Sequence, residues 1–156
     1  MDAADVRFLF AYDRWATEKV LAMAIPVPWD EWEESNRIDR RGLGGIMVHQ
    51  LGAHERWRAG WQRLPLPARR EAGPLPTAAE LHDLWRTEWA ALDAYFATLT
   101  DEVVRGQFDD VTMWHTFAHV VNHGTQHRSE AAVLLTIMGR SPGDLDLIDF
   151  APVTGG

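Results

Sequence analysis

Four histidines recur at every fourth position, His115, His119, His123 and His127, within one stretch that reads as a long helix. Residues four apart project from successive turns of one helix face, so any neighbouring pair could hold a metal ion between two imidazoles. A three-ligand site needs one further histidine, and His49, His54 and His82 are the remaining candidates. The chain contains no cysteine. Disulfides, thiolate metal sites and thiol nucleophiles are thereby excluded, and a transition metal must be held by imidazole nitrogen and carboxylate or other oxygen.

The elements that must position these imidazoles are helical. Val6, Leu9, Phe10, Ala16, Val20, Leu21 and Ala24 recur at helical spacing until Pro26 and Pro28, which predicts a first helix over residues 3–24. A polar segment, Trp29 to Arg41, follows. Leu43, Ile46, Leu51, Trp57, Trp61 and Leu64 then mark a second helix that stops before Pro65. The stretch from Ala68 to Pro76 reads as an exposed connection, and Thr77 with Glu80 as a capping box opening a third helix. That helix carries Leu81, Leu84, Trp85, Leu92, Tyr95 and Leu99 and closes at Thr100 and Asp101. Thr112 is the expected cap of a fourth helix running to Met138, with Gly139 and Pro142 beyond it. Four long helices without an alternating strand pattern predict an all-α four-helix bundle, and 156 residues fit one domain, 1–156.

A helix turns by about 100 degrees per residue, which orders the four histidines of the last helix. With His123 at zero, Val120, Ala131, Leu134 and Met138 fall between about 20 and 80 degrees and His127 near 40. His119 and His115 step progressively away from that apolar stripe, so the inner pair is His123 and His127. On the second helix His49 shares a face with Ile46, Ala53, Trp57 and Gly60, whereas His54 is turned about 140 degrees away. His49 is therefore the preferred third ligand. Gly45, Gly52, Ala53 and Gly60 on its helix would let a neighbouring backbone come close. His54, His82 and His115 are expected to be ordinary polar residues and His119 to lie on the rim or bond a ligand. Trp57 is placed to wall a pocket beside His49, and Glu55, on the opposite side, to be a solvated or structural carboxylate.

The run Phe117-Ala118-His119-Val120-Val121-Asn122-His123-Gly124-Thr125-Gln126-His127-Arg128-Ser129-Glu130 closely resembles the last helix of the DinB-like, damage-inducible metalloproteins. The resemblance extends to Tyr12-Asp13-Arg14-Trp15-Ala16, to Val48-His49-Gln50-Leu51 with Glu55 and Trp57, and to the tail from Gly139 to Phe150. It implies a divalent metal held by His49, His123 and His127, the set reached by rotation. Two positions depart from the family's pattern: Asp13 stands for its usual asparagine and Ser129 for its common glycine. The resemblance also implies a homodimer and, through the wider superfamily, thiol-dependent transferases and isomerases using bacillithiol, mycothiol or a similar small thiol.

Three imidazoles leave open metal positions, as a catalytic site requires, and the superfamily resemblance then implies the leading expectation, a metal-dependent transferase acting on a small electrophile with a low-molecular-weight thiol. Imidazole donors suit zinc, nickel, iron or copper and do not by themselves name the metal; zinc or nickel is the leading expectation, with iron as a further option. The alternatives are a metal-dependent hydrolase, disfavoured by the lack of an HExxH motif, and a non-enzymatic metal-binding protein. A carboxylate-bridged di-iron bundle is disfavoured because no Glu-x-x-His pair occurs. Arg128 lies about 100 degrees from His127 and is given no catalytic role. The net charge is −8, with 14 arginines and one lysine scattered rather than clustered, which argues against nucleic-acid binding. Acidic residues near the N-terminus and the lack of a long apolar run predict a cytoplasmic protein without membrane contact.

Overall fold

The computed structural model describes residues 1–150. Its elements in chain order are α1 (Ala3–Ala24), α2 (Trp29–Glu33), α3 (Gly42–Trp61), a 3-10 turn (Arg70–Ala72), α4 (Ala78–Ala97), α5 (Asp101–Arg105), a hairpin of β1 (Gln107–Phe108) and β2 (Val111–Thr112), α6 (Met113–Ile137) and α7 (Leu147–Phe150). The four long helices close a ring in which α1 packs on α6, α6 on α3, α3 on α4 and α4 on α1. This is the expected helical bundle. The expected single domain over 1–156 includes residues 151–156, which lie outside the described residues.

Local chemistry fixes the helix ends. Asp2 and Asp5 form a capping box that opens α1, and Thr77 and Glu80 form the expected one at α4, with Thr77 N donating to Glu80 Oε2 at 2.8 Å. Each box satisfies backbone donors that the first turn leaves without partners. Gly139 closes α6 at φ +73, in the left-handed region glycine enters without penalty. Between the helices, Trp32, Trp85, Phe117, Leu21, Leu43, Met47 and Leu51 are fully buried. The tail is tied back to α1: Tyr12 Oη donates to Leu145 O at 2.9 Å, and Phe150 packs against Phe8, Tyr12 and Trp15. No described helix is long and apolar enough to cross a membrane.

Three expectations need correction. The polar segment after α1 contains the single turn α2, which buries Trp32 while its indole donates to Pro76 O at 2.8 Å. Thr100 and Asp101 do not close α4. Thr98 ends that helix, and the Thr100 hydroxyl accepts from Val103 N to open α5. The connection before α6 holds the small hairpin, with Gln107 opposite Thr112 and Phe108 opposite Val111. Two-residue strands are too short to show a period of two, which is why the alternation test missed them.

Candidate metal centre

α3 and α6 lie side by side, and the cleft between them brings three imidazoles together at the bundle edge. His49 Nε2 is 3.2 Å from His123 Nε2, and His127 Nε2 is 3.1 Å from the same atom. His115 is exposed and far from this cluster in the helical repeat, and His119 is exposed with its ring 5.9 Å from that of His123. His119 thus lies on the rim, where Trp57 meets it edge-on at 5.4 Å.

The outer nitrogens explain the inner geometry. Glu71, on the 3-10 turn, accepts a hydrogen bond from His49 Nδ1, and Glu130 accepts one from His127 Nδ1 at 2.6 Å. A neutral imidazole protonated at Nδ1 presents a lone pair at Nε2, so these carboxylates turn two lone pairs into the cleft. His123 Nε2 can donate to only one of its two neighbours. The remaining nitrogen contact is repulsive unless a cation lies between them. Tetrahedral coordination at zinc–nitrogen distances puts two nitrogens about 3.3 Å apart, close to both observed separations. The donors therefore fit a divalent transition ion.

Burial, followed by the charges His127 and His49 would carry, pushes His123 down to about 4. Burial also lowers His127, against the opposing hydrogen bond to Glu130. For Glu71, burial is the largest single influence and acts upward, but the hydrogen bond from His49, a backbone hydrogen bond and the charges of His49 and Arg69 together outweigh it, leaving the carboxyl below its ordinary value. His123 and His127 are thus set to present neutral imidazoles to a cation at neutral pH. Asp39 also comes within ligand range of His127 and Glu130. It is held by Arg41 through its guanidinium and backbone N–H, with the side-chain bond the leading cause of its lowered pKa, so it belongs to the outer ring of the site.

α3 differs from the expectation in two respects. The innermost face of α3 is not that of His49, which is half-buried, but that of Met47, Gln50, Leu51 and His54. His54 is therefore no ordinary polar residue. It is 1% exposed, packed edge-on against Trp85 and Phe10, and its Nε2 lies 3.4 Å from Asp13 Oδ2, an electrostatic contact rather than an aligned hydrogen bond. Burial lowers its pKa against the opposing charge of Asp13. Two of the small residues of α3 do not make the expected helix contact: Gly52 faces Arg70 and Glu71 and Gly60 faces Phe108, each at a distance where a Cβ would make only ordinary contact.

The close helix approach belongs to Gly124, beside His123 on α6. A Cβ there would sit 2.5 Å from Asp13 Oδ1, 2.7 Å from Arg128 Nη1 and 3.2 Å from Gln50 Nε2. Asp13 and Arg128, each 1% exposed, form a buried ion pair joining α1 to α6, and Gln50 Nε2 donates to Thr17 Oγ1 at 3.2 Å. Arg128 is thus structural, and Asp13 is its counterion. Ser129 is exposed and bonds Thr125 O within its helix. Glu55 is a structural carboxylate, gripped by Arg70 through two bonds that anchor the Glu71 turn. His82 is half-buried against Trp89 and takes no part in the site.

Sequence reading missed Glu71 and Glu130. Glu130 follows His127 by three residues on a helix and was open to the same spacing argument that found the histidines. Glu71 reaches the site from a connection without periodicity, and nothing in the sequence marks it. With this geometry in view, the comparisons are specific: the DinB family model matches residues 3–154, nearly the whole chain, and the protein belongs to that family. No curated protein and no solved structure gave a significant match.

Proposed function

We propose that this DinB-family protein is a metal-dependent transferase: His49, His123 and His127 bind one divalent ion, zinc or nickel before iron, and the site joins a low-molecular-weight thiol to a small electrophile. The observation that carries the proposal is the convergence of three Nε2 atoms in a half-open cleft, with carboxylates fixing two of the rings from behind. Structural zinc sites take four protein ligands, whereas three protein ligands leave room for a reactant. When bound, such an ion polarises what joins it and lowers the pKa of a thiol or water. In the transfer the thiol proton leaves to solvent, a sulfur–carbon bond forms, and the acceptor's leaving group departs with its electron pair.

The chain's own residues hold and shape this site. Glu71 and Glu130 orient His49 and His127, while Trp57 and His119 wall the cleft on one side. Hydrolysis is the second reading. It is less favoured because both carboxylates nearest the imidazoles are engaged on their Nδ1 atoms rather than placed beside an incoming water as a general base. A binding protein without catalysis is the third. A homodimer, a cytoplasmic location and the lack of a nucleic-acid or membrane partner complete the proposal, with sedimentation and cell fractionation as their tests.

The cobalt-substituted protein separates these readings. Glutathione, bacillithiol and mycothiol are titrated in turn while the visible spectrum and turnover of a chlorodinitrobenzene acceptor are followed. The proposal expects sulfur charge-transfer absorption and thiol-dependent turnover, both lost in His123→Ala. Ester or amide hydrolysis with no response to any thiol would favour the second reading, and neither activity the third.

A further inference from the structure

Two residues at the end of α3 stand where backbone preference alone would exchange their types. Gly60 lies in the last turn of the helix, where a Cβ would meet only Phe108 Cζ at an ordinary 3.6 Å. Neither a positive φ nor close packing requires glycine there. Three residues later Arg63 has φ 55, in the left-handed region that usually takes glycine at a helix end. Its side chain is put to use: the guanidinium lies 4.7 Å from the centre of the Phe108 ring, and Nη1 donates to Asp109 Oδ1 at 3.0 Å.

Together these choices open a groove of about 560 Å³, within the size range of small-molecule sites. Trp57 and Phe108 form its walls with ring centres 6.2 Å apart, Gly60 its floor, and Leu64 and Leu66 an open apolar edge. Leu64 and Leu66 are 51% and 56% exposed. The rim carries two arginines, Arg56 and Arg63, against one acid, Asp109. Arg56 donates to Pro67 O and has no acidic partner among the described residues. A net positive rim is notable on a chain of charge −8. The groove adjoins the histidine cluster through Trp57, which touches the His119 ring.

We propose that this groove is a subsite for a small aromatic anion, an aryl carboxylate or sulfonate in class, whose ring packs over Gly60 against Trp57 and Phe108 and the Leu64 and Leu66 edge, and whose charge faces Arg56 and Arg63. Glycine at position 60 leaves room for the ring, and arginine at 63 supplies charge at a backbone position that opposes it. The binding itself stands apart from the metal. That the groove takes the aromatic end of the substrate rests on the metal-dependent reading above, because Trp57 follows His49 by eight residues, about 12 Å along the helix.

The test uses anilinonaphthalene sulfonate with the full chain, zinc-loaded and metal-free. Saturable binding of one probe per chain is expected in both forms. Gly60→Leu should weaken it about tenfold or more, whereas Gly60→Ala should change it by less than about threefold. Arg56→Gln should weaken the sulfonate about fivefold and leave the neutral analogue phenylnaphthylamine unchanged. Near-ultraviolet circular dichroism verifies that each variant is folded, and Phe108→Ala, which removes a wall on the hairpin, replaces Gly60→Leu if the latter unfolds. Binding that survives the wall or floor variant, or no saturable binding at all, overturns the subsite. So does a change in oligomeric state on filling the groove without probe binding, which would make it a contact between copies. His123→Ala should keep the probe while losing zinc. Zinc binding without probe binding therefore sinks the subsite alone, and the converse sinks the metal reading alone.

Discussion

Replacing Gly124 with alanine should destabilise the protein by about 3 kcal/mol, although a glycine-to-alanine change inside a helix ordinarily stabilises by up to about 1 kcal/mol. The sign follows from what the methyl group meets. It would lie 2.5 Å from a carboxylate oxygen of Asp13 and 2.7 Å from the Arg128 guanidinium, both held in the core and unable to swing into solvent. Overpacking of a filled core costs about 1 to 3 kcal/mol, and disrupting a buried ion pair about 3 to 5, so partial displacement of the Asp13–Arg128 pair outweighs the gain in propensity. Urea denaturation, followed by helical circular dichroism and tryptophan fluorescence, measures the difference. Gly60→Ala is the control of opposite sign: its Cβ meets only Phe108 at 3.6 Å, so stability should hold or rise by up to about 1 kcal/mol. Zinc affinity should fall in Gly124→Ala as well, because His123 precedes the displaced residue. Equal stabilisation by both substitutions would refute the reasoning, since propensity alone would then govern position 124.

Other expectations concern the histidines and their partners. Burial holds His54 and His123 below the ordinary imidazole value of 6.5, His123 at about 4, so below pH 6.5 the unfolded chain binds protons that the fold excludes. Stability of the metal-free protein, fully present above that pH, should fall on acidification by up to about 1.4 kcal/mol per pH unit for the fully buried His54, with a smaller, solvent-screened share from His123. Denaturation at a series of pH values checks this, and a flat profile from neutrality to pH 5 would contradict it. Glu71→Gln and Glu130→Gln should each weaken zinc binding by about 10- to 100-fold through the loss of an orienting carboxylate, measured by competition with a chelator; unchanged affinity would detach them from the site. Duplex DNA at physiological salt should bind no tighter than micromolar, because the acidic chain lacks a clustered basic surface, and a gel-shift titration tests it.

The parts of the site on regular helices were legible because a helix converts spacing into direction. His123 and His127 fall on one face by arithmetic, Thr77 and Glu80 announce a capping box, and Gly139 marks the end of α6. The same arithmetic ranked His49 above His54, yet it misjudged which of them is buried. α3 is covered on several sides, by α2, the Glu71 turn, α4 and α6, so its apolar residues do not form one stripe from which a single inward direction could be read. Asp13 looked like a departure from a motif, whereas its meaning depends on Arg128, 115 residues away, and on a missing side chain at Gly124. Such contacts depend on how helices pack and leave no periodic trace. Glu71 and the Phe108 hairpin lie in connections, where position follows from tertiary packing rather than from local pattern.

The central claim is that His49, His123 and His127 share one ion, and titration of zinc into the metal-free protein tests it most directly. Calorimetry on the wild type and on His49→Ala, His123→Ala, His127→Ala and His115→Ala should give one ion per chain for the wild type and for His115→Ala. Each of the other three should lose at least about 100-fold in affinity, as expected when a three-imidazole site drops to two donors. Unchanged stoichiometry and affinity in all three variants would contradict the account.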